Sequence, residues 1–145
     1  MFAGGWWISL VHMNWLFKEE PSSYSFQQFT KDGGTSWAGV RNPLAQKHLR
    51  GIRKGDSIFY YHTGKEKSVV AIAKALTDAY PDPADASGKL YVVDIAPSKK
   101  LPKPVTLAAI KGDKAFASFP LVRMSRLSVM PVTSAEWDRI EKMSQ

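Results

Sequence analysis

Residues 57–76 read SIFYYHTGKEKSVVAIAKAL, and their apolar side chains recur with a period of two. This alternation predicts a strand at Ile58–His62, a polar hairpin connection at Thr63–Lys67 and a returning strand at Ser68–Leu76. One face of the returning strand carries alanines at alternate positions, and such small side chains allow another layer to approach closely. A small curved sheet or partial barrel is therefore expected at the centre of the fold.

The residues before this hairpin carry one strand signal and two helix signals. Trp15–Phe17 is a short apolar strand candidate. Ser25 and Gln28 have the spacing of a capping box, which predicts a short helix that ends at a Gly-Gly turn. Pro43 suits the first turn of a second helix, which is expected to run to about Arg53.

The residues after the hairpin continue this mixed pattern. Strands are predicted at Leu90–Ala96 and Leu127–Val132, whereas the proline-rich stretch Pro97–Pro104 is expected to be extended but not an interior strand. Further helix starts are predicted at Thr106, at Lys114 and at the capping box of Thr133 and Glu136. Strands that cluster mid-chain between helices indicate the α+β class, with a small curved sheet or partial barrel flanked by helices.

The positive charge of the chain is concentrated in two segments. The chain has 145 residues, which suits one domain, and a formal net charge of +7. Arg41–Lys67 carries a net +5 and Ile95–Arg126 a net +6, so the rest of the chain is acidic. If the fold brings the segments together, they form one basic face suited to a polyanion. Otherwise they are two separate solvated surfaces, and the sequence leaves both arrangements open.

Several kinds of chemistry lack their residues in this sequence. There is no cysteine, which excludes disulfides, thiolate-held metals and thiol nucleophiles. His12, His48 and His62 lack the spacing of metal ligands, and no glycine pair has the context of a phosphate loop. His62 could serve acid–base chemistry or bond a backbone group at the end of its strand. Glu19 and Glu20 are interpreted as surface charge with a turn contact. We therefore expect a non-catalytic protein without a metal or cofactor.

The first twelve residues, Met1–His12, are interpreted as an extension outside the domain, which would then start at Met13. Their apolar stretch is too short to span a bilayer, and they lack the basic region and cleavage site of a signal peptide. No later stretch of the sequence approaches the length of a membrane span. We expect a cytoplasmic monomer with no membrane partner.

Aromatic residues lie in or beside the first basic segment, namely Trp37, Phe59, Tyr60 and Tyr61. Their rings could stack on nucleic-acid bases while the neighbouring lysines and arginines hold phosphates. They could equally be core residues. Phe59 and one of the two tyrosines must be, because adjacent residues of a strand face opposite ways.

Several sequence blocks follow one another in a recognisable order from Met13 to the end of the chain. They are NWLFKEEP (14–21), SYSF (23–26), WAGVRN (37–42), KGD (54–56) with FYYHT (59–63), YPDP (80–83), PKPVTL (102–107) and LVRMSRLSVMPV (121–132). Together they resemble the EVE domain family of the PUA-like superfamily, whose corresponding forms include YWLxKSEP, WDGVRN, FFYHS and LVRQSRLSVQPV. The resemblance identifies residues 13–145 as a single EVE domain.

The resemblance implies a fold and a function. The implied fold is a PUA-like mixed-sheet pseudo-barrel with short helices around it. The implied function is a non-catalytic nucleic-acid-binding module with a pocket for a modified base, either modified cytosine in DNA or a modified base in RNA. The partner would then be nucleic acid, reached through a base that is flipped out or single-stranded.

The resemblance also implies site residues. The base pocket would be formed by Trp37 as a stacking wall, by Val40, Arg41 and Asn42 beside it, by Tyr61, His62 and Thr63 as another wall, and by Lys18 and Ser22 near the first strand. Polar and phosphate contacts would come from Arg123, Ser125, Arg126 and Ser128, with Lys47 and Arg50 of the first basic segment. The chain departs from the family pattern at Glu19, Ala38, Pro43, Met124 and Met130.

Two other functions stay open at the level of sequence. One is a pocket for a small molecule or free nucleoside, which includes an unrecognised enzyme. The other is an RNA-binding PUA-like module without a preference for modification, which competition between ribo- and deoxyribo-oligonucleotides would identify through the 2′-hydroxyl.

Overall fold

The structure is a computed structural model that describes residues 12–145, so the predicted extension lies outside the described residues except for its last member, His12. The strands of this range are β1 Asn14–Glu19, β2 Thr35–Trp37, β3 Ser57–His62, β4 Ser68–Ala75, β5 Tyr80–Pro81, β6 Tyr91–Thr106 and β7 Val129–Val132. They form a curled mixed sheet in the order β2-β6-β4-β3-β1-β7, and β5 pairs with β6 beside this path. The predicted α+β class is confirmed.

Short helices pack around the sheet. They are α1 Pro21–Tyr24, α2 Phe26–Asp32, α3 Pro43–Arg50, α4 Leu107–Lys111, α5 Pro120–Arg123 and α6 Ser134–Met143, with a 3₁₀ turn at Lys114–Phe116. The predicted capping box of α6 is confirmed, because Thr133 Oγ1 accepts the Glu136 N–H and Glu136 Oε1 accepts the Thr133 N–H. At α2 only half of the predicted box forms: Ser25 Oγ accepts the Gln28 N–H, but the Gln28 amide donates to Asp32 instead.

The predicted hairpin is the antiparallel pair β3–β4, in which a bulge shifts the register between Tyr60 and Tyr61. β3 also pairs in parallel with β1, which puts Lys18 opposite Tyr61 and Glu19 opposite His62. A parallel pair needs a crossover connection, and here α1, α2, β2 and α3 supply it. The crossover leaves the sheet after the end of β1 and returns at Ser57, which lies opposite Asn14 at the start of β1.

The proline-rich stretch is the part of the sheet that differs from expectation. The strand predicted to stop at Ala96 continues to Thr106, and Pro97 pairs with Ala73 of β4. β2 pairs only with Val93–Ile95, so beyond Ile95 the other side of β6 has no strand partner among residues 12–145. Proline cannot donate a ladder hydrogen bond and is tolerated at such an edge. The prediction that Pro97–Pro104 is not an interior strand was therefore right, but the predicted end of the strand at Ala96 was wrong.

A buried carboxylate just before β3 links this strand to Met13 and Trp15 through hydrogen bonds. Asp56 is 1% exposed, and its Oδ2 accepts hydrogen bonds from Trp15 Nε1 at 2.8 Å and from the Arg53 N–H at 2.9 Å. Its Oδ1 accepts from the Met13 N–H at 2.9 Å. A charged acceptor that satisfies three donors is a strong local fixing point.

Candidate functional site

The end of β1 is tied to the loop that follows α5. Lys18 donates from Nζ to the carbonyl oxygen of Ser125 at 2.9 Å, and its backbone N–H donates to the carbonyl oxygen of Ser128 at 2.9 Å. The Lys18 side chain is half-buried, and the resulting loss of hydration lowers its pKa from the ordinary value. Lys18 therefore links the sheet to this loop through two hydrogen bonds.

A cleft of about 360 Å³ opens beside that loop. Its lining residues come from the start of α3 and from the loop after α5: Asn42, Leu44, Arg123, Met124, Ser125, Arg126 and Leu127. Asn42 is the N-cap of α3, and its Oδ1 accepts the Ala45 N–H at 3.0 Å, which fixes the amide at the mouth of the cleft. The cleft thus joins an end of the first basic segment to an end of the second.

The rim of the cleft is basic and partly apolar. Arg123 and Arg126 are exposed, and so is Arg41, which precedes the cap residue Asn42 in the chain. The Met124 side chain is 43% exposed between the two arginines. An anion with an apolar part therefore finds both kinds of contact here.

Trp37 lies in the core beside this region. Its side chain is 7% exposed, and its ring centroid lies 5.2 Å from Phe17, 5.6 Å from Tyr60 and 6.4 Å from Tyr24. Val40 is also buried, and its carbonyl oxygen accepts from Gln46 Nε2 at 2.7 Å. In this structure Trp37 is a buried packing residue in contact with three other aromatic side chains.

Tyr61, the other predicted wall, lies on the opposite face of the sheet from Trp37. Lys18 Nζ is 5.9 Å from the centroid of the Tyr61 ring, whereas the preceding residue Phe17 contacts Trp37. Adjacent residues of a strand point to opposite faces, so the two aromatic side chains are not brought together. Tyr61 is 3% exposed, and burial raises the pKa of its hydroxyl.

His62, Thr63 and Ser22 lie at the junction of β3 and α1, outside the lining of the cleft. His62 Nε2 accepts the Phe26 N–H at 3.1 Å, so its proton lies on Nδ1, which donates to Glu66 Oε1 at 3.0 Å. Thr63 and Ser22 both donate to the carboxylate of Glu20, at 3.4 Å and 3.2 Å. The two ring nitrogens of His62 thus both have hydrogen-bond partners within the protein, namely Phe26 and Glu66.

Lys47 and Arg50 are exposed on α3, the helix whose first turn borders the cleft. The Arg50 guanidinium lies over the Tyr91 ring, 5.7 Å from its centroid, and makes a cation–π contact with it. Of the residues predicted from the sequence, Asn42, Arg123, Ser125 and Arg126 line the cleft together, and Lys18 and Ser128 hold its loop.

The sequence predicts no part in the site for Leu44 and Met124, and it indicates for Glu20 only surface charge with a turn contact. Leu44 and Met124 give the cleft its apolar wall. Glu20 is the N-cap of α1, and its carboxylate accepts hydrogen bonds from the hydroxyl groups of Ser22 and Thr63. An acidic residue directly before a proline that starts a helix is a recognisable cap signal, so the role of Glu20 could have been found in the sequence.

Two kinds of feature are absent from residues 12–145. No group of three or more histidine or carboxylate side chains in this range has a geometry that could hold a metal ion. No helix in the same range is long and apolar enough to cross a bilayer.

Comparison with known proteins places the chain in a family. The profile of the EVE domain matches residues 13–143. The chain belongs to the EVE domain family. The curled sheet with short helices is the PUA-like fold that the sequence blocks predicted.

Relatives of this EVE domain occur among bacterial and animal proteins. The NMR structure of Rpa0253 from Rhodopseudomonas palustris is 48% identical, covers 91% of this chain and 92% of its own, and superposes with a TM-score of 0.87. The crystal structure of human THYN1 in complex with DNA that contains 5-methylcytosine is 25% identical, covers 92% and 98%, and has a TM-score of 0.84. Thymocyte nuclear protein 1 of Gallus gallus is 28% identical over 99% of this chain and 73% of its own length.

Proposed function

We propose that this EVE domain is a non-catalytic DNA-binding module that accepts a modified cytosine at the cleft between α3 and the loop after α5. The observation that carries the proposal is the complex of the human relative THYN1 with 5-methylcytosine DNA, since that chain shares this fold over almost its whole length. The basic cleft of this chain supports the same class of ligand.

The size and lining of the cleft suit a single base with its phosphates. Its volume of about 360 Å³ is at the lower end of ligand pockets, which span roughly 300–1,000 Å³. Arg123 and Arg126 supply guanidinium groups for phosphates, and the amide of Asn42 can bond a base edge. Leu44 and Met124 offer apolar contact to a methyl group on the base. A modified cytosine would use all three kinds of contact.

The energetics of such a site make the basic rim necessary. Extrusion of a base from a duplex costs a few kcal/mol. The structure gives the base no open aromatic wall at Trp37, because that ring is packed against Phe17 and Tyr60. Phosphate contacts must therefore supply much of the affinity, and binding should weaken steeply as salt is raised.

The test is fluorescence anisotropy with matched duplex and single-stranded oligonucleotides that carry either 5-methylcytosine or cytosine. We expect tighter binding of the methylated probes by the wild type. The double variant Arg123→Ala, Arg126→Ala should reduce affinity for every DNA probe and lower the salt slope by about 2 for duplex. The control is Arg53→Ala, Lys54→Ala, which removes the same charge just beyond the opposite end of α3.

Three outcomes would contradict the proposal. They are equal binding of methylated and plain probes by the wild type, equal effects of the two double variants, and tighter binding of matched RNA than of DNA. Saturable binding of free 5-methylcytidine without any affinity for oligonucleotides would instead identify a nucleoside pocket.

A further inference from the structure

A second and larger groove lies between the first two helices and the open edge of β6. Its volume is about 820 Å³. Its lining residues come from the α1–α2 segment, from the β3–β4 hairpin and from the proline-rich part of β6: Pro21, Ser25, Phe26, Gln27, Thr30, Lys31, His62, Glu66, Val70, Pro97, Ser98, Lys99, Lys100 and Pro104. Nothing in the proposed function uses this groove.

The charge of the groove is positive. Lys31, Lys99 and Lys100 line it and are exposed. The acidic side chain of its lining, Glu66, already accepts a hydrogen bond from His62 Nδ1 at 3.0 Å. Three ammonium groups against one carboxylate therefore favour an anionic ligand with more than one charge.

The apolar part of the groove contains a rigid aromatic ring. Phe26 is half-buried, and its ring makes edge contacts to Phe29 at 5.8 Å and to Tyr60 at 5.6 Å. Pro97 and Pro104 add apolar surface along the edge of β6. A planar base can stack on such a surface while its phosphates reach the lysines, which is the usual arrangement for single-stranded nucleic acid.

The edge of β6 is poorly suited to a peptide that adds as a strand. β-Augmentation depends on main-chain hydrogen bonds along an open edge. Pro97, Pro102 and Pro104 have no N–H to offer, and Lys99 and Lys100 lie between them. A nucleic acid does not need these donors, so the edge favours it over an added peptide strand.

The groove lies close to the cleft along the chain. Lys18, which holds the cleft loop, and Pro21, which lines the groove, are three residues apart. Three residues span at most about 11 Å even when fully extended. This bound applies to Lys18 and Pro21, and the path of a strand between the cleft and the groove belongs to the proposal below.

We propose that this groove holds the single-stranded nucleotides that adjoin the base taken up by the cleft, with phosphates on Lys99, Lys100 and Lys31 and a base on Phe26. The inference rests on the proposed function for the orientation of the strand, but its own evidence is the charge and shape of the groove. It predicts that this EVE domain prefers a longer single strand to a short one.

The experiment compares two fluorescein-labelled single-stranded DNA probes by anisotropy at several salt concentrations. One is a trinucleotide with 5-methylcytosine, which fills the cleft alone, and the other is a strand of about 15 nucleotides with the same central base. Lys99→Ala, Lys100→Ala should weaken binding of the long probe about tenfold and lower its salt slope by about 1.4. Its affinity for the trinucleotide should be unchanged. The charge-matched control Lys111→Ala, Lys114→Ala alters residues that line neither site.

A second variant tests the stacking contact without a change of charge. Phe26→Leu keeps the side chain apolar, and we expect it to weaken the long probe selectively while the thermal midpoint reports any loss of packing. Wild-type affinity of the lysine variant for the long probe would overturn the groove proposal and leave the proposed function intact. Stronger displacement by an acidic peptide than by unlabelled oligonucleotide would also overturn it. Failure of the wild type to bind any probe would remove both proposals.

Discussion

Lys18 Nζ donates to the carbonyl oxygen of Ser125 over 2.9 Å, although 107 residues separate the two in the chain. The bond connects a central strand of the sheet to the loop that forms one side of the cleft. Any ligand that binds Arg123 or Arg126 therefore meets a loop that is held in place by the sheet.

Replacement of this lysine should affect binding more than stability. Lys18→Met keeps the aliphatic stem but removes the donor to Ser125. We expect binding of methylated DNA to fall about tenfold, because a loop without this bond must be ordered when the ligand binds, at a cost of roughly 0.5–1.5 kcal/mol for each side chain that is fixed. Stability should change by less than about 1 kcal/mol, because the variant also avoids the cost of burying an ammonium group. Lys111→Met is the exposed control, and unchanged DNA binding by Lys18→Met would show that the tether does not shape the site.

Trp37 provides a test of whether a core aromatic also contacts a base. Trp37→Ala should destabilise the domain by about 3–5 kcal/mol, so loss of binding by that variant would not identify a stacking wall. Trp37→Phe should cost about 1–2 kcal/mol and keep the ratio of affinities for methylated and plain DNA. A ratio that falls to one in a folded Trp37→Phe protein would support the wall predicted from the family motif.

Asp56 should be among the most sensitive polar positions of the described chain. Asp56→Ala leaves the Trp15 Nε1 donor and two backbone N–H groups without their acceptor, and we expect a loss of at least about 3 kcal/mol. Asp78→Ala is the control, because Asp78 is exposed and accepts one hydrogen bond within residues 12–145, from the Lys54 N–H, and it should cost about 1 kcal/mol or less. Denaturant unfolding measures both, and equal losses would contradict the role assigned to Asp56.

Stability should fall at alkaline pH because the fold raises the pKa of several tyrosines, and the shifts are largest at Tyr24 and Tyr60. Burial raises the pKa of Tyr60, and burial with a hydrogen bond to Asp32 raises the pKa of Tyr24 to about 12, from an ordinary value of 10.0. Below pH 10 both states keep these protons and the stabilisation is complete. Between about pH 10 and 12 the unfolded state loses them first, so the free energy of unfolding decreases.

The variant Tyr60→Phe separates this effect from general alkaline damage. Its ΔG of unfolding should depend less on pH above 10 than that of the wild type. At neutral pH it should cost about 1–2 kcal/mol, because the Tyr24 carbonyl oxygen loses the hydroxyl that donates to it at 2.6 Å. Parallel pH profiles for the two proteins would rule out Tyr60 as a source of the decline.

Two glycines with nearly the same backbone conformation test the contact to Glu20. Gly64 and Gly88 have φ of 75° and 72°, so alanine at either should cost roughly 1–2 kcal/mol from the left-handed conformation alone. A Cβ at Gly64 would lie 2.6 Å from Glu20 Oε2, whereas one at Gly88 would meet nothing within 4 Å. Gly64→Ala should therefore be the more damaging in thermal unfolding, and equal midpoints would show that Glu20 simply moves away.

Helix caps and hairpins were predictable from the sequence, because they depend on side chains that lie only a few residues apart in the chain. Ser25, Thr106 and Thr133 each cap the helix that was expected to follow them. The β3–β4 hairpin was likewise visible in its period of two.

Long-range features were beyond the reach of these patterns. The end of β6 was misplaced because proline content says nothing of which side of a strand is unpaired, and here β2 leaves that side open beyond Ile95. The cleft pairs Leu44 with Met124, two apolar residues that no local pattern connects. The separation of Trp37 from Tyr61 depends on the pairing of β2 with β6 and of β1 with β3, which sequence spacing does not reveal.

The position of β1 has a consequence for synthesis of the protein. Its neighbours are β3 and β7, and Asn14 pairs with Val132, so one side of this strand has no partner until residues 129–132 have been synthesised. Until then a nascent chain on the ribosome exposes the unpaired edge of an apolar strand. Chaperones bind such edges, and aggregation can start from them. Completion of the domain therefore requires residues 129–132, and chains interrupted before Val129 should be removed rather than fold.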